Sequence, residues 1–276
     1  MNFQYSPLRY PGGKAKIAPL LKDCLKINRL SNCTYFEPFA GGAGAALDLL
    51  LNEHVESIYI NDADQAVYSF WYSVLNSTDK FITMLKETPI NIEEWKKQKV
   101  IFMDTQASLL DRGFATFFMN RCNVSGILSG GAIGGLHQKG NWKIDARMNK
   151  ENLIKRINKI ALYSQRINVE NLDWKDFLDK AFQNYTNNQF IYLDPPYYKK
   201  GQDLYMNYFV HEDHVRLEEY LRNKENWLLT YDYSSEILDI YKNYDKQEYY
   251  LNYSARNVRK GKELIIYSKN LRGRLT

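Results

Sequence analysis

Phe190-Ile191-Tyr192-Leu193-Asp194-Pro195-Pro196-Tyr197 joins four apolar residues to an acid, two prolines and an aromatic ring. An unbroken apolar run of this length fits a central parallel strand buried on both faces. The prolines end it, because each fixes φ and leaves the carbonyls around it without a neighbouring N–H. A carboxylate and a rigid carbonyl then point to one place beyond the strand end, with a ring beside them. Such a set suits a planar amino group: two acceptors for its N–H bonds and a ring for its face.

Outward from this strand the chain alternates strands and helices. Thr34–Glu37 is a short strand entering a glycine loop, and Ala45–Leu51 continues as helix. Ser57–Ile60 is a strand that ends at Asn61-Asp62. Val67, Phe70, Trp71, Val74 and Leu75 recur near helical spacing, so Gln65 to about Lys99 reads as helices. Glu151–Tyr163 returns to helix, with Ile154, Ile157, Ile160 and Ala161 on one face. Arg166–Glu170 and Trp227–Thr230 read as strands. Glu248–Leu251 and Glu263–Ser268 form a final antiparallel pair around a turn at Arg256–Gly261. The expected class is α/β, with ligands at the carboxyl ends of the strands. Residues 64–150 lack the alternation and read as a domain inserted into one made of 1–63 and 151–276; within it, 112–145 reads as a polar, Gly-rich stretch.

Composition excludes several classes. The 276 residues are 45% hydrophobic and 25% charged, an ordinary globular balance and not a disordered one. No run of 18 apolar residues exists, which argues against a membrane-spanning helix. The opening MNFQYSPLRYPGGK lacks the apolar core of a signal peptide. Cys24, Cys33 and Cys122 stand far apart, which argues against a disulfide framework or a zinc site and fits a reducing cytosol. A net charge of +5 permits a nucleic-acid partner without requiring one.

A second motif, Tyr35-Phe36-Glu37-Pro38-Phe39-Ala40-Gly41-Gly42-Ala43-Gly44, turns a strand through glycines into a helix and brings backbone N–H groups close to a ligand. Eighteen residues after Gly44 comes Asp62, at the end of the next strand, where an acid suits a ribose diol. The alternative is that Asp62 or Asp64 caps the following helix.

These motifs occur in an order that resembles a known family. An aromatic-P-G-G-K segment (Tyr10 to Lys14), the acid-P-F-x-G-G-x-G loop, an inserted domain and D-P-P-Y follow one another as in Dam-type DNA adenine-N6 methyltransferases of the alpha group. The resemblance runs from Ser6 to about Asn270. It implies a Rossmann-like S-adenosylmethionine-dependent methyltransferase sheet with an inserted, mainly helical target-recognition domain. It implies S-adenosyl-L-methionine as cofactor, leaving as S-adenosyl-L-homocysteine, and duplex DNA as partner. By resemblance, Tyr10 and Lys14 hold the methionine part, Glu37, Pro38, Phe39, Gly41, Gly42 and Gly44 wrap methionine and ribose, and Asp62 holds the ribose hydroxyls. Asp176-Phe177 resembles the pair flanking the cofactor's adenine. Asp194, Pro195, Pro196 and Tyr197 hold a flipped target adenine, with Asp194 also at the cofactor. Asn120-Arg121 and Ser125-Gly126 resemble part of the target-recognition domain, while Gly130–Gly135 departs from the shorter hairpin of GATC-specific members.

For DNA contact the candidates are Arg112, Asn120, Arg121, Ser125, Lys139, Lys143 and Arg147, with Arg256, Arg259 and Lys260 in a basic cluster at the C-terminal turn. His211 and His214 are three apart but lack an evident third metal ligand, so no metal is expected. The rival functions are transfer to an RNA base or a protein amide, and a DNA-binding regulator without catalysis. Asp at the first motif position leans to DNA adenine, and the intact Asp194–Tyr197 motif with Lys14 leans against a regulator. A cognate restriction endonuclease, a monomeric or weakly dimeric state and a cytoplasmic location complete the expectation.

Overall fold

The computed structural model describes residues 5–9, 17–184, 188–198, 209–253 and 259–272, with the backbone alone for 251–253, 259 and 260. Tyr10, Lys14 and Arg256 lie outside them.

The strands are β1 (Thr34–Glu37), β2 (Ser57–Asn61), β3 (Ile167–Glu170), β4 (Gln189–Leu193), β5 (Trp227–Asp232), β6 (Lys246–Tyr253) and β7 (Arg259–Tyr267). They form one sheet in the order β3-β2-β1-β4-β5-β7-β6. β7 runs antiparallel to both β5 and β6, and the other neighbours are parallel. The chain reverses its direction of travel across the sheet between β1 and β4. In an open α/β sheet, the crevice at that switch point is where ligands bind.

β4 and β5 are buried along their whole length, as the apolar runs require. Successive side chains point to opposite faces, and the core divides accordingly. Tyr35, Phe190, Tyr192, Leu228 and Ile265 join one apolar cluster. Phe36, Ile191, Leu193, Leu229 and Ile266 join the other. Against the first face pack α1 (Ala18–Ile27), α2 (Gly44–Leu51), α3 (Gln65–Asn76), α4 (Thr78–Glu87), α6 (Leu109–Cys122) and α7 (Lys150–Ala161). Against the second pack α8 (Trp174–Asn184), α9 (His211–Leu221) and α10 (Ser235–Ile240). Another helix, α5 (Ile92–Met103), contributes Trp95 to the first cluster.

Two sequence expectations change here. Residues 112–145 do not form one polar stretch: α6 continues to Cys122 and is buried from Gly113 to Asn120. Its residues Phe114, Phe117, Phe118 and Met119 share one cluster with the sheet and with Phe70 and Trp71, so helices α3 to α6 do not have a core of their own. Cooperative packing of aromatic rings overrides the polar flavour of the local sequence. The C-terminal hairpin is also longer than expected, and Arg259, Lys260 and Gly261 belong to strand β7 and not to a turn. Glycine in a strand is tolerated here because Gly261 still pairs with Leu251.

The crossing of α3 and α6 is set by Gly113. A Cβ there would lie 2.3 Å from the Ser69 carbonyl oxygen and 2.6 Å from Ser73 Oγ. Ser73 Oγ in turn donates to the Ser69 and Leu109 carbonyls. Backbone cannot move aside as a side-chain tip can, so Gly113→Ala is expected to lower unfolding free energy by about 2 kcal/mol through overpacking. Urea denaturation followed by far-UV circular dichroism measures this.

Candidate functional site

At the carboxyl end of β1 the chain passes through Pro38 to Gly44 and into α2. The sequence put the conformational freedom of this loop in its glycines. The positive φ values belong to Gly41 (47°) and to Ala43 (46°), the residue preceding the helix. A non-glycine residue in this region is held there by its surroundings. Ala43 N–H donates to the Ala40 carbonyl at 2.6 Å, and the Trp71 indole donates to the Gly41 carbonyl at 2.8 Å. Trp71 lies on α3, so the inserted segment braces the loop.

Of the two acids that could cap the following helix, Asp64 does so. Asp64 accepts from Ala66 N and caps α3. Asp62 accepts from Gly41 N at 2.9 Å through one carboxylate oxygen and from Asp64 N at 2.9 Å through the other. It thereby ties the β2 end to the β1 loop. Burial pushes its carboxyl up to about 7, against the opposing pull of these two backbone donors, with the neighbouring Asp64 charge adding to the rise. An oxygen with one N–H bond retains a second acceptor site, so Asp62 can still receive a hydroxyl at each oxygen.

Asn61, which sequence reasoning missed, is the joint of the site. It is buried, donates from its amide to the Pro38 and Leu172 carbonyls, and accepts from Leu172 N. Asn171 donates to the Asp62 carbonyl. The loops after β1, β2 and β3 are therefore bound together by two asparagines. A buried polar residue ending an apolar strand was the available signal.

The expected Asp176-Phe177 pair is divided between surface and core. Phe177 is 1% exposed and packs edge-on against Phe36, 6.0 Å between ring centroids. Its ring belongs to the second core cluster. Asp176 is exposed in the first turn of α8. The residues at the β3 end that adjoin the Asn61 joint are Leu172 and Asp173, the latter accepting from Lys175 N at 2.9 Å.

Asp194 follows β4 half-buried, between buried Leu193 and Pro195. Thr230 Oγ1 donates to its Oδ1 at 2.9 Å, and Tyr192 OH lies 2.9 Å from the same Thr230 oxygen. With the threonine proton directed to the carboxylate, Tyr192 is the donor in that second bond. Burial drives the Tyr192 phenol well above its ordinary value, with the Asp194 charge adding to the rise, so it stays protonated as a donor. Register explains the alignment. Tyr192 pairs with Leu228, so Asp194 and Thr230 both continue the row that faces the first cluster. Glu37 extends the same row on β1, 2% exposed and accepting from Tyr35 OH at 3.2 Å. Pro38, Gly41 and Gly42 are buried beside it, while Phe39 and Gly44 are partly exposed.

Tyr197 OH donates to Glu263 Oε1 at 2.6 Å, and Tyr198 N donates to Asp232 Oδ1 at 3.0 Å. The histidines set aside as metal ligands have other work: His211 Nδ1 meets Tyr198 OH at 3.1 Å, and His214 Nδ1 meets Tyr231 OH at 2.8 Å.

The expected DNA contacts divide. Asn120 is corrected: it is 1% exposed and its amide is used on Arg9 N, the Arg9 carbonyl and the Gly126 carbonyl. Arg121 is half-buried, and its guanidinium donates to the Arg147 and Pro7 carbonyls. Burial lowers it to about 9, helped by the nearby charges of Arg9, Arg156 and Arg147. These side chains fasten the segment before residue 10 to α6. Arg112 donates to Gln65 Oε1, and Lys143 donates to the Gln138 and Gly140 carbonyls within its own loop. Lys139 and Arg147 are exposed, Arg147 over the ring of Trp142. Ser125 is half-buried with φ 59°. Arg259 and Lys260 lie on the β7 backbone.

Asn61→Ala orphans three buried backbone groups at once. It is expected to cost about 2–3 kcal/mol of stability, read from a thermal or urea unfolding curve.

The comparisons with known proteins agree with this geometry. The family model of D12 class N6 adenine-specific DNA methyltransferases matches residues 10–258. The chain is 24% identical over 263 residues to the Type II methyltransferase M.CviBI of Paramecium bursaria Chlorella virus NC1A, spanning 89% of this chain and 90% of that protein. The match spans most of the chain, which belongs to the D12 class of N6 adenine-specific DNA methyltransferases.

Proposed function

We propose that this adenine-specific DNA methyltransferase acts on an adenine turned out of the duplex and held by Asp194, Pro195, Pro196 and Tyr197. The observation that carries the reading is the Thr230-held carboxylate of Asp194 at the switch-point end of β4, with the tethered ring of Tyr197 beside it. An adenine inside a duplex is out of reach, so the base must leave the stack. Its exocyclic nitrogen is a poor nucleophile, because the lone pair is delocalised into the ring. The Asp194 carboxylate and the Pro195 carbonyl accept the two amino hydrogens and favour a more tetrahedral nitrogen. Thr230 fixes the carboxylate in rotation, and Tyr197 covers the base face. Orientation and electrostatics are the protein's contribution.

The family uses S-adenosylmethionine, which supplies an electrophilic methyl group on a sulfonium. The residues present fit it. Asp62 offers acceptors for a ribose diol, and Glu37 to Gly44 form a bend of close backbone held by Trp71 and Asn61. Tyr10 and Lys14 are proposed for its methionine end, and Leu172 and Asp173 for its adenine side in place of Phe177.

For DNA we propose 64–150 as the reading part, with Lys139, Lys143, Arg147, Arg112 and Ser125 near the duplex. The exposed apolar side chains of the same loop, Val124, Leu136 and Trp142, support contact with bases. Arg256, Arg259 and Lys260 are proposed for backbone phosphates. Their neighbour Lys262 is engaged by Glu248 at 2.7 Å and sits over the Tyr233 ring. Pairing with a restriction endonuclease is supported by the Type II name of the viral relative. Action in the cytoplasm as a monomer or weak dimer completes the proposal; among the described residues no helix is long and apolar enough to cross a membrane.

Two outcomes test the site. Asp194→Ala is expected to abolish transfer of a labelled methyl group to duplex DNA while the unfolding curve stays close to wild type; methylation at the wild-type rate sinks the assignment. A diol donates best to an ionised carboxylate, and Asp62 ionises near pH 7. Cofactor affinity is therefore expected to rise with pH through about 7 and then level off, with a proton released on binding below it. Calorimetry at several pH values reads both effects. Asp62→Asn should weaken binding and flatten the profile.

A further inference from the structure

We propose that Glu263 is a positioning residue that holds the Tyr197 ring in place before the base arrives, with Asp232 holding the residue next to it. This rests on Tyr197 stacking on the extruded adenine.

Glu263 lies in the middle of β7, between β5 and β6, and is 1% exposed. It pairs in register with Asp232, which is 6% exposed. Two carboxylates side by side inside a sheet are costly to desolvate unless they accept strong hydrogen bonds. Uncharged pairs fill the next places along the same rows, Ile265 with Thr230 and then Tyr267 with Leu228. Both acids instead turn to the loop after β4. Glu263 takes the Tyr197 hydroxyl and Asp232 takes the Tyr198 amide. Thr230, two residues before Asp232 and on the same face, takes Asp194. One antiparallel pair thus grips three of the five described residues that follow β4.

The grip on Tyr197 is at the far end of its side chain. A tyrosine ring turns about two torsions; its para oxygen lies on the axis of the second, so a bond there restrains the first and fixes where the ring sits. A ring held in place accepts a base face without an ordering cost at the moment of stacking. The tether therefore acts on the population of extruded base and not on the attacking nitrogen, which Asp194 and Pro195 hold.

Tyr197→Phe keeps the ring and removes the bond. With 2-aminopurine in place of the target adenine, its fluorescence rise on binding is expected to fall by more than half. KM for DNA should rise about tenfold, with a smaller change in single-turnover rate at saturating DNA and unchanged cofactor affinity. Glu263→Leu should match it, and Glu263→Gln, which keeps an acceptor oxygen, should stay close to wild type. In the double variant Tyr197→Phe/Glu263→Leu, the loss should be no larger than in either single one. Full fluorescence and wild-type KM in Tyr197→Phe overturn the proposal. So does a loss from Glu263→Leu that is as large in the Tyr197→Phe background as in wild type. A wild-type protein that methylates DNA yet gives no fluorescence rise overturns base extrusion onto Tyr197, and the tether with it; a wild-type rise that Tyr197→Phe keeps overturns the tether alone.

Discussion

Strand register at β1, β4, β5 and β7 is the constraint on which the rest depends. Tyr35, Phe190, Leu228 and Ile265 belong to one row system, buried against α1 to α7. Two residues further towards the crevice the same rows carry Glu37, Tyr192, Thr230 and Glu263. Asp194 and Asp232 complete them. A slip of one residue would move every one of these groups to the opposite face. The apolar packing that holds the register therefore also holds the polar row. Burial on both faces of β4 and β5 makes such a slip costly, so the polar groups at the strand ends inherit their precision from the core.

The loops at the strand ends need a different kind of support, because a loop close to a ligand exposes backbone groups that must find partners. Asparagines supply it at the strand ends and also at the end of α6. Asn61 joins the β1 and β3 loops, Asn120 joins Arg9 to Gly126, and Asn123 takes the Trp95 indole and the Ile127 and Leu128 carbonyls. A carboxamide both donates and accepts, so one side chain can bind two strands of backbone. Arginines extend the pattern with donors alone, as Arg121 does for Pro7 and Arg147. The arginine-rich region that looked wholly available to DNA is thus partly structural.

Much of the architecture was legible in the sequence. The strands from Thr34, Ser57, Phe190 and Trp227 stand out because apolar runs are short and end at turn-forming or acidic residues. The ordered motifs named the family, since Asp194-Pro195-Pro196-Tyr197 and the Tyr35–Gly44 loop carry chemistry in contiguous residues. The fate of α6 was not legible. Its arginines, asparagine and glycine read as a surface, yet Gly113 serves close helix packing and Asn120 a backbone clamp.

The sequence by itself determined the α/β class, the site-bearing strand ends and the reaction, because these depend on local order: what residue follows what. The tertiary structure decided which side chains serve the site from elsewhere in the chain. Thr230 at Asp194, Glu263 at Tyr197, Trp71 at Gly41 and Asn61 at Leu172 are all pairings across 30 or more residues. It also placed Phe177 in the core and engaged Asn120 and Arg121 on the backbone of the segment before residue 10. Hydrogen bonds and packing act through space, and the distance in space between two such residues is set only when the sheet register and the helix crossings are complete.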